Sequence, residues 1–367
     1  MKFLISRESL LKPLNLVAGV VERRHTLPVL ANVLLQLDDG QLSLTGTDLE
    51  VELVGRVAVD DSSVDGEVTV PARKLLDICK SLPDGSVLEF SSEQQRAVLK
   101  SGRSRFTLAT LPASEFPNIE DKLLGDAFDL VQTDLKRVLD HTMFAMAQQD
   151  VRYYLNGMLW EMQGRDFKVV ATDGHRLAMA TLENALSFNE GRQVILPRKG
   201  VMELNRLLQD KDEIINILVG TSHLRATTPE FTFSSKLVDG KFPDYQRVLP
   251  RNTDKQIVAE REELRSSLAR AAILSNEKYH GVRLQMSDNE LTIVASNPEQ
   301  EEAEETLSID YSYAPLEIGF NVSYLLDVMA VIPGDKVKIS LSDANSSALV
   351  EDHANAESVY VVMPMRL

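Results

Sequence analysis

Leu42-Ser-Leu-Thr-Gly-Thr-Asp48 reads as a strand that runs into a turn, with apolar and polar residues alternating before a Thr-Asp close. The same pattern returns 125 residues later as Phe167-Lys-Val-Val-Ala-Thr-Asp173. It returns again, 124 further on, as Leu291-Thr-Ile-Val-Ala-Ser-Asn297. A fixed offset of this kind is the signature of an internal repeat, and two further markers keep step with it. Pro71-Ala-Arg-Lys-Leu-Leu-Asp-Ile-Cys-Lys80 opens with a proline suited to a first helical position, and Leu75, Ile78, Cys79 and Leu82 fall on one helical face. Pro197-Arg-Lys-Gly-Val-Met-Glu-Leu-Asn-Arg206 repeats it at an offset of 126, and Asn321-Val-Ser-Tyr-Leu-Leu-Asp-Val-Met329 repeats it again, with Asn321 as N-cap. Phe116-Pro117 and Phe242-Pro243 also stand 126 apart.

Each of these helices precedes a turn and a short strand: Ser86–Phe90, Ile214–Ile217 and Lys336–Ile339. An earlier helix is predicted in every copy, over Ser6–Val20, Thr133–Gln148 and Glu262–Ser275, and Pro13 implies a late start or a kink in the first. Alternating segments such as Leu49–Val54, joined by short turns such as Asp38-Asp-Gly40, suit antiparallel sheet. The expected fold class is α+β in triplicate, two helices plus antiparallel sheets per copy, with domains at 1–125, 126–250 and 251–367.

Composition bounds the chemistry. Apolar residues make up 44% and charged residues 26% of the 367, as in a soluble globular protein. The lone Cys79 excludes a disulfide framework within the chain and a thiolate zinc cage. The early charges of Met1–Leu14 do not suit a signal peptide, and no apolar run approaches the roughly 18 residues of a membrane span, so a cytoplasmic protein with no membrane partner is expected. The net charge of −16 is unevenly spread. Segments 7–24, 72–80, 134–152, 198–206 and 261–278 hold 17 Lys/Arg against 10 Asp/Glu, while the remainder holds 22 against 45. Basic helices on an acidic body suit loose, sequence-independent phosphate contact; charge scattered over solvated faces is the alternative. The helix at Asn321–Ile332 has no Lys or Arg.

Several motifs carry two readings. Thr172-Asp173-Gly-His175-Arg176 sets an acid beside a histidine, as a hydrolase would, but no Gly-x-Ser-x-Gly nucleophile turn exists and a strand-end turn is the preferred reading. The six histidines lack metal-ligand spacing and no phosphate loop is present, so no metal, cofactor or direct use of ATP is expected. Glu299–Glu305 is either a metal-binding run or a solvated, partner-facing patch. Gln149-Asp-Val-Arg-Tyr-Tyr-Leu-Asn156 either holds nucleic acid or starts a strand with two packing tyrosines. Tyr360-Val-Val-Met-Pro-Met-Arg-Leu367 is either a last core strand or, through its methionines, an adaptable docking surface.

Leu44–Glu50, Gln149–Gly157, Ala171–Leu177, Lys236–Tyr245, Asn297–Glu305 and Val361–Leu367, taken in this order, carry a resemblance. The chain resembles, from Met1 to Leu367, the bacterial DNA polymerase sliding-clamp family, the β subunits of DNA polymerase III. The resemblance implies three clamp domains per chain and a head-to-tail homodimer that closes a six-domain ring round double-stranded DNA. It implies a processivity factor, not an enzyme. Carried over, DNA contact falls on Arg24, Arg73, Gln149, Arg152, Tyr153, Tyr154, Arg198, Lys199 and Arg206. The dimer contact falls on Lys74, Arg103, Phe106 and Leu108, against Ile273, Leu274, Glu299, Glu301 and Glu304. A partner-peptide pocket falls on Leu155, Thr172, Gly174, His175, Arg176, Leu177, Pro243, Arg247, Val248, Asn321, Tyr324, Val361, Met363, Pro364, Met365 and Arg366, with Tyr279 at its border. The replicative polymerase, the clamp loader, other polymerases and repair proteins are the implied partners, docking through short linear peptides. A repeat scaffold without nucleic acid, and a hydrolase using Asp173 and His175, are the rival readings.

Overall fold

Ten elements recur three times in one order. The first copy runs β1 (Lys2–Ser6), α1 (Arg7–Ala18), β2 (Asn32–Asp38), β3 (Gln41–Thr47), β4 (Val51–Ala58), β5 (Gly66–Pro71), α2 (Ala72–Ser81), β6 (Val87–Glu93), β7 (Arg96–Ser101), β8 (Ser104–Ala109). The second runs β9 (Asp126–Val131), α3 (Gln132–Thr142), β10 (Gly157–Gln163), β11 (Asp166–Thr172), β12 (Arg176–Leu182), β13 (Arg192–Pro197), α4 (Arg198–Leu207), β14 (Ile214–Val219), β15 (His223–Thr227), β16 (Phe231–Lys236). The third runs β17 (Lys255–Glu260), α5 (Arg261–Ala272), β18 (Gly281–Ser287), β19 (Glu290–Ser296), β20 (Glu302–Ser308), β21 (Leu316–Asn321), α6 (Val322–Val331), β22 (Lys336–Leu341), β23 (Ala348–Asp352), β24 (Ser358–Val362). This computed structural model describes residues 1–21, 27–59, 63–93, 95–117, 124–187, 191–251 and 253–366.

Every copy builds two antiparallel layers of the same order. The first joins β5-β2-β3-β4, β13-β10-β11-β12 and β21-β18-β19-β20; the second joins β1-β6-β7-β8, β9-β14-β15-β16 and β17-β22-β23-β24. Layers from different copies then fuse by one rule. β4 pairs with β16 and β12 pairs with β24, so that last strand meets last strand and two eight-stranded sheets result. Within the chain, β8 and β20 end their four-stranded sheets.

Through this fusion the three copies share two compact units. One holds Met1–Thr133 with Met202–Leu237, the other Asp134–Val201 with Val238–Leu367. Each contains one eight-stranded and one four-stranded sheet, and the second copy contributes a layer to each. Ladder hydrogen bonds outweigh sequence adjacency in deciding which strands cluster. In the first unit α1 packs on α2 and on β3 and β4; in the second α5 packs on α6 and on β19 and β20. Leu10, Leu14 and Val17 of α1 are buried, as are Leu264, Leu268 and Ala271 of α5. Cys79 is buried on α2, which pushes its thiol up to about 11 and leaves it unreactive at neutral pH.

The helix boundaries differ from expectation in instructive ways. α1 has no late start: Ser6 caps it through Oγ, which accepts from Ser9 N at 3.1 Å, and Pro13 stays inside the helix, buried. Gly55 of β4 makes room for it, since a Cβ there would stand 2.8 Å from Pro13 Cβ. α3 stops at Thr142, whose hydroxyl donates to Val138 O at 2.6 Å, and a short 3-10 turn over Met143–Ala145 replaces the last turn expected. α5 ends at Ala272. Pro71 and Pro197 close strands β5 and β13 and stand just before their helices, not at the first helical position. Leu49 and Glu50 lie in a turn and β4 begins at Val51, because the Asp48 carboxylate holds the backbone N–H groups of Glu50 and Val51.

Candidate peptide groove and nucleic-acid loop

The turn after β11 is built by its own side chains. Asp173 Oδ1 accepts from the backbone N–H of His175 at 2.9 Å and of Arg176 at 3.0 Å, while the Thr172 hydroxyl donates to Arg176 O at 2.5 Å. Asp173 Oδ2 takes Arg176 Nε at 3.1 Å. The carboxylate is therefore committed to the turn and to an arginine, and the His175 ring stacks on Tyr324 with centroids 6.4 Å apart. The motif is a strand-end turn, as the preferred reading expects.

Arg176 is the hub. Its side chain is only 12% exposed and meets Asp327 of α6 through Nη1, while Nη2 donates to Phe144 O at 3.1 Å. Its guanidinium lies 4.5 Å from the Tyr324 ring centroid and 5.1 Å from that of Phe144. Burial raises the Tyr324 phenol above its ordinary range, with the Asp173 charge adding to the effect. Phe144 and Asp327 were not singled out from the sequence. Asp327 lies in the third copy's helix marker and Phe144 in the helix expected over Thr133–Gln148, but only the fold brings them to Arg176.

The C-terminal stretch begins as the core strand expected of it. β24 is a core strand paired with β12, Leu177 opposite Val361, and the chain beyond it crosses to β21. Met363 N donates to His175 O at 2.9 Å and Met365 N donates to Gly319 O on β21 at 2.8 Å. Leu155, Leu177 and Val361 lie in one buried cluster with Phe242 and Tyr245, and half-buried Val248 packs on it. Met363, Pro364 and Met365 are half-buried, and His175, Pro243, Arg247 and Arg366 are exposed. Asn321 caps α6 with its side-chain oxygen, which accepts from Ser323 N at 2.9 Å. Arg247 pairs with Asp244 at 2.8 Å, and Tyr245 donates to Glu161 at 2.9 Å; burial pushes this phenol up to about 12. An apolar floor walled by a turn, a helix start and a terminal segment is thus assembled from parts far apart in sequence.

The Gln149–Asn156 segment is neither a strand start nor loose. Asn156 Nδ2 donates to Asp150 O at 2.8 Å, its Oδ1 accepts from Asp150 N at 2.9 Å, and a 3-10 turn spans Tyr153–Leu155. Arg152 forks onto Asp150, Nε at 3.0 Å and Nη2 at 2.8 Å, and Nη2 also reaches Asp173 O at 3.0 Å. These bonds hold the Asp150 carboxyl down at about 2. Tyr153 is 57% exposed and meets half-buried Tyr154 edge to face. The loop ties Arg152 to the Asp173 turn. Glycine suits position 174, where φ is +89° and a Cβ would stand 2.7 Å from the Arg152 guanidinium.

The remaining candidates for DNA contact are placed less uniformly. Arg73 and Gln149 are exposed and Lys199 is half-buried. Arg198 donates to Met146 O at 3.2 Å. Arg206 folds onto the end of α1, donating to Leu16 O at 2.8 Å. Arg24 lies outside the described residues.

Models of the DNA polymerase III beta subunit match in succession: its N-terminal domain at residues 1–120, its central domain at 129–244 and its C-terminal domain at 246–366. The beta sliding clamp of Pseudomonas aeruginosa is 60% identical and that of Escherichia coli 53%, each over 367 residues that cover both chains completely. The chain belongs to the DNA polymerase III beta-subunit family. A crystal structure of the Pseudomonas aeruginosa sliding clamp bound to griselimycin shares its fold at a TM-score of 0.98 and 60% identity, with both chains fully covered. Membership of the family makes the chain a DNA sliding clamp of replication, a processivity factor and not an enzyme, and sets aside both the hydrolase and the nucleic-acid-free scaffold.

The clamp's two sheet ends carry the residues assigned to dimer contact. Arg103 is exposed in the turn before β8, and on that strand Phe106 is half-buried and Leu108 is already 7% exposed within its own chain. Lys74 is exposed on α2. Ile273, just past α5, is 76% exposed and Leu274 half-buried. Glu299, Glu301 and Glu304 are exposed before and along β20, with Glu301 accepting from Asn297 Nδ2 at 2.6 Å. Among the described residues no group of His, Cys, Asp or Glu is arranged to hold a metal ion. No helix of the described residues is long and apolar enough to cross a membrane.

Proposed function

We propose that two copies of this chain close head to tail, β20 of each pairing with β8 of the other, and encircle duplex DNA in the cytoplasm. The strand rule carries this reading. β4 meets β16 and β12 meets β24, last strand to last strand; the one such pairing left over joins β20 to β8, which a second chain supplies twice. Closure buries two edges that would otherwise invite aggregation. Ile273 and Phe106 give the joint an apolar contact, and Glu299, Glu301 and Glu304 oppose Lys74 and Arg103. Exposed ion pairs add little, about 0–1 kcal/mol each, so the apolar side chains carry most of the stability. The domains of the ring are 1–125, 126–250 and 251–367.

Retention on DNA is then topological and does not require tight phosphate binding. Arg24, Arg73, Gln149, Arg152, Tyr153, Tyr154, Arg198, Lys199 and Arg206 supply loose, sequence-independent contacts that permit sliding. The groove over Leu155, Leu177, Val248 and Val361, rimmed by His175, Arg176, Tyr324 and Met363–Arg366, receives short linear peptides of the replicative polymerase, the clamp loader, other polymerases and repair proteins. Tethering raises a partner's effective concentration at the primer end without new chemistry.

Light scattering at micromolar concentration should give about twice the 40.9 kDa chain mass. The loaded protein should survive high salt on closed circular DNA and leave linear DNA by its ends. Equal, salt-sensitive loss from both forms would sink the ring.

A further inference from the structure

One cross-strand pair is written in all three copies, and in the second it is written backwards. Gln36 of β2 lies opposite Glu67 of β5, and Gln285 of β18 lies opposite Glu317 of β21. At the same place in the second copy, Glu161 of β10 lies opposite Gln193 of β13. Each glutamine donates through Nε2 to its glutamate: Gln36 to Glu67 at 3.4 Å, Gln285 to Glu317 at 2.9 Å, and Gln193 to Glu161. In the first and third copies the acid stands on the edge strand of its sheet and is exposed. In the second copy the exposed edge residue is Gln193. The acid has moved one strand inward, where Glu161 is only 5% exposed.

Burying a carboxylate is costly unless other groups bond or neutralise it. Two groups found only in the second copy do so. Lys168 of β11 lies opposite Glu161, where the other copies have Ser43 and Thr292. The buried Tyr245 hydroxyl donates to Glu161 Oε1 at 2.9 Å. That hydroxyl is as particular to this copy as the inward acid. Three residues after the phenylalanine of its Phe-Pro marker the second copy has Tyr245, and the first has Ile119. Exchanging Gln and Glu leaves their mutual bond in place. What the exchange adds is an acceptor for Tyr245.

Residues 237–251 belong to no strand, so side chains rather than a ladder set the place of this segment. Tyr245 begins its 3-10 turn, and Val248 N donates to Tyr245 O at 3.0 Å. The Tyr245 ring lies in the buried cluster with Leu155, Leu177 and Val361, and Val248 packs on that cluster. We propose, on the groove reading above, that Glu161 and Tyr245 are positioning residues for peptide recognition. The buried carboxylate anchors the Tyr245 hydroxyl and thereby fixes Pro243, Arg247 and Val248 as one wall of the groove. Glu161 acts on the peptide only through that wall.

Fluorescence anisotropy of the full-length protein with a labelled peptide copied from the replicative polymerase tests this, alongside chemical denaturation. Tyr245→Phe and Glu161→Leu should each lower stability and weaken peptide binding about tenfold, since each strands a buried polar group or frees the wall. The double variant Tyr245→Phe with Glu161→Leu removes both polar groups. Its stability should recover toward the parent while its affinity stays low. Glu161→Gln keeps an acceptor for the hydroxyl and should bind within about twofold of the parent. Without peptide, the Val248 methyl signals of ¹³C-labelled protein should shift in Tyr245→Phe and hold their place in Glu161→Gln. Affinity that recovers together with stability in the double variant would make the pair merely structural and overturn the proposal. Parental affinity in Tyr245→Phe, or unmoved Val248 methyls, would overturn it too and leave the groove reading standing. A parent that fails to bind the peptide would overturn the groove reading and this proposal with it.

Discussion

The turn of the first copy at Thr47–Val51 and that of the second at Thr172–Arg176 have the same hydrogen-bond skeleton and different surroundings. Asp48 Oδ1 accepts from Glu50 N at 2.9 Å and Val51 N at 2.7 Å, and the Thr47 hydroxyl donates to Val51 O at 2.9 Å. Asp173 and Thr172 do the same to His175 and Arg176. The acid that resembled catalytic equipment is therefore a feature of the repeat, present where no histidine follows it. What the second copy changes is its passengers. Glycine replaces Leu49 at a left-handed position, histidine replaces Glu50, and Arg176 replaces buried Val51 and reaches across to α6. A repeat preserves the turn because folding needs it, and a site arises where one copy's side chains meet a neighbour the other copy lacks.

Arg176→Ala should break that difference most severely. We expect peptide affinity to fall about 10- to 100-fold by calorimetric titration with a polymerase peptide, since Asp327, Phe144 and Tyr324 lose their common partner. Val51→Ala should cost stability, about 1–3 kcal/mol in chemical denaturation, and leave peptide affinity unchanged. Equal loss of affinity in both would erase the contrast.

The left-handed position gives a smaller, two-sided test. Leu49 has φ of +77° and Gly174 +89°. Gly174→Ala should destabilise by about 1–3 kcal/mol and displace Arg152, whose guanidinium occupies the space. Leu49→Gly relieves strain but gives up packing, so a change within about 1 kcal/mol is expected. His175→Ala should weaken peptide binding only several-fold, because its ring stacks at the rim without holding the turn, and should leave retention on circular DNA unaltered.

The smallest effect is a pH signature beside the second turn. The Arg152 side chain and backbone hold the Asp150 carboxyl at about 2, below the roughly 3.9 of a free aspartate. A depressed folded-state pKa contributes stability above the unfolded value and loses it as pH falls from about 4 through about 2. Carbon-detected NMR of the Asp150 carboxyl should show that midpoint, and Arg152→Ala should return it toward the ordinary range.

Much of this was legible in residue order. The three strand-turn markers became β3, β11 and β19, and the Phe-Pro marker proved to be two buried anchors. Helix ends were less legible, because a single hydroxyl at Thr142 or a glycine opposite Pro13 decides them. Hidden too were the partners of Arg176, which come from α6 and from the turn after α3.

Periodicity and spacing alone determined that one α+β unit is written three times, since alternation and helical faces are local and survive in every copy. Only the tertiary structure decided how the copies fuse, β4 to β16 and β12 to β24. Strand pairing satisfies backbone groups that no sequence pattern labels with a partner. It also decided which copy's turn lies beside α6, because that depends on side chains meeting across distances that the order of residues does not encode.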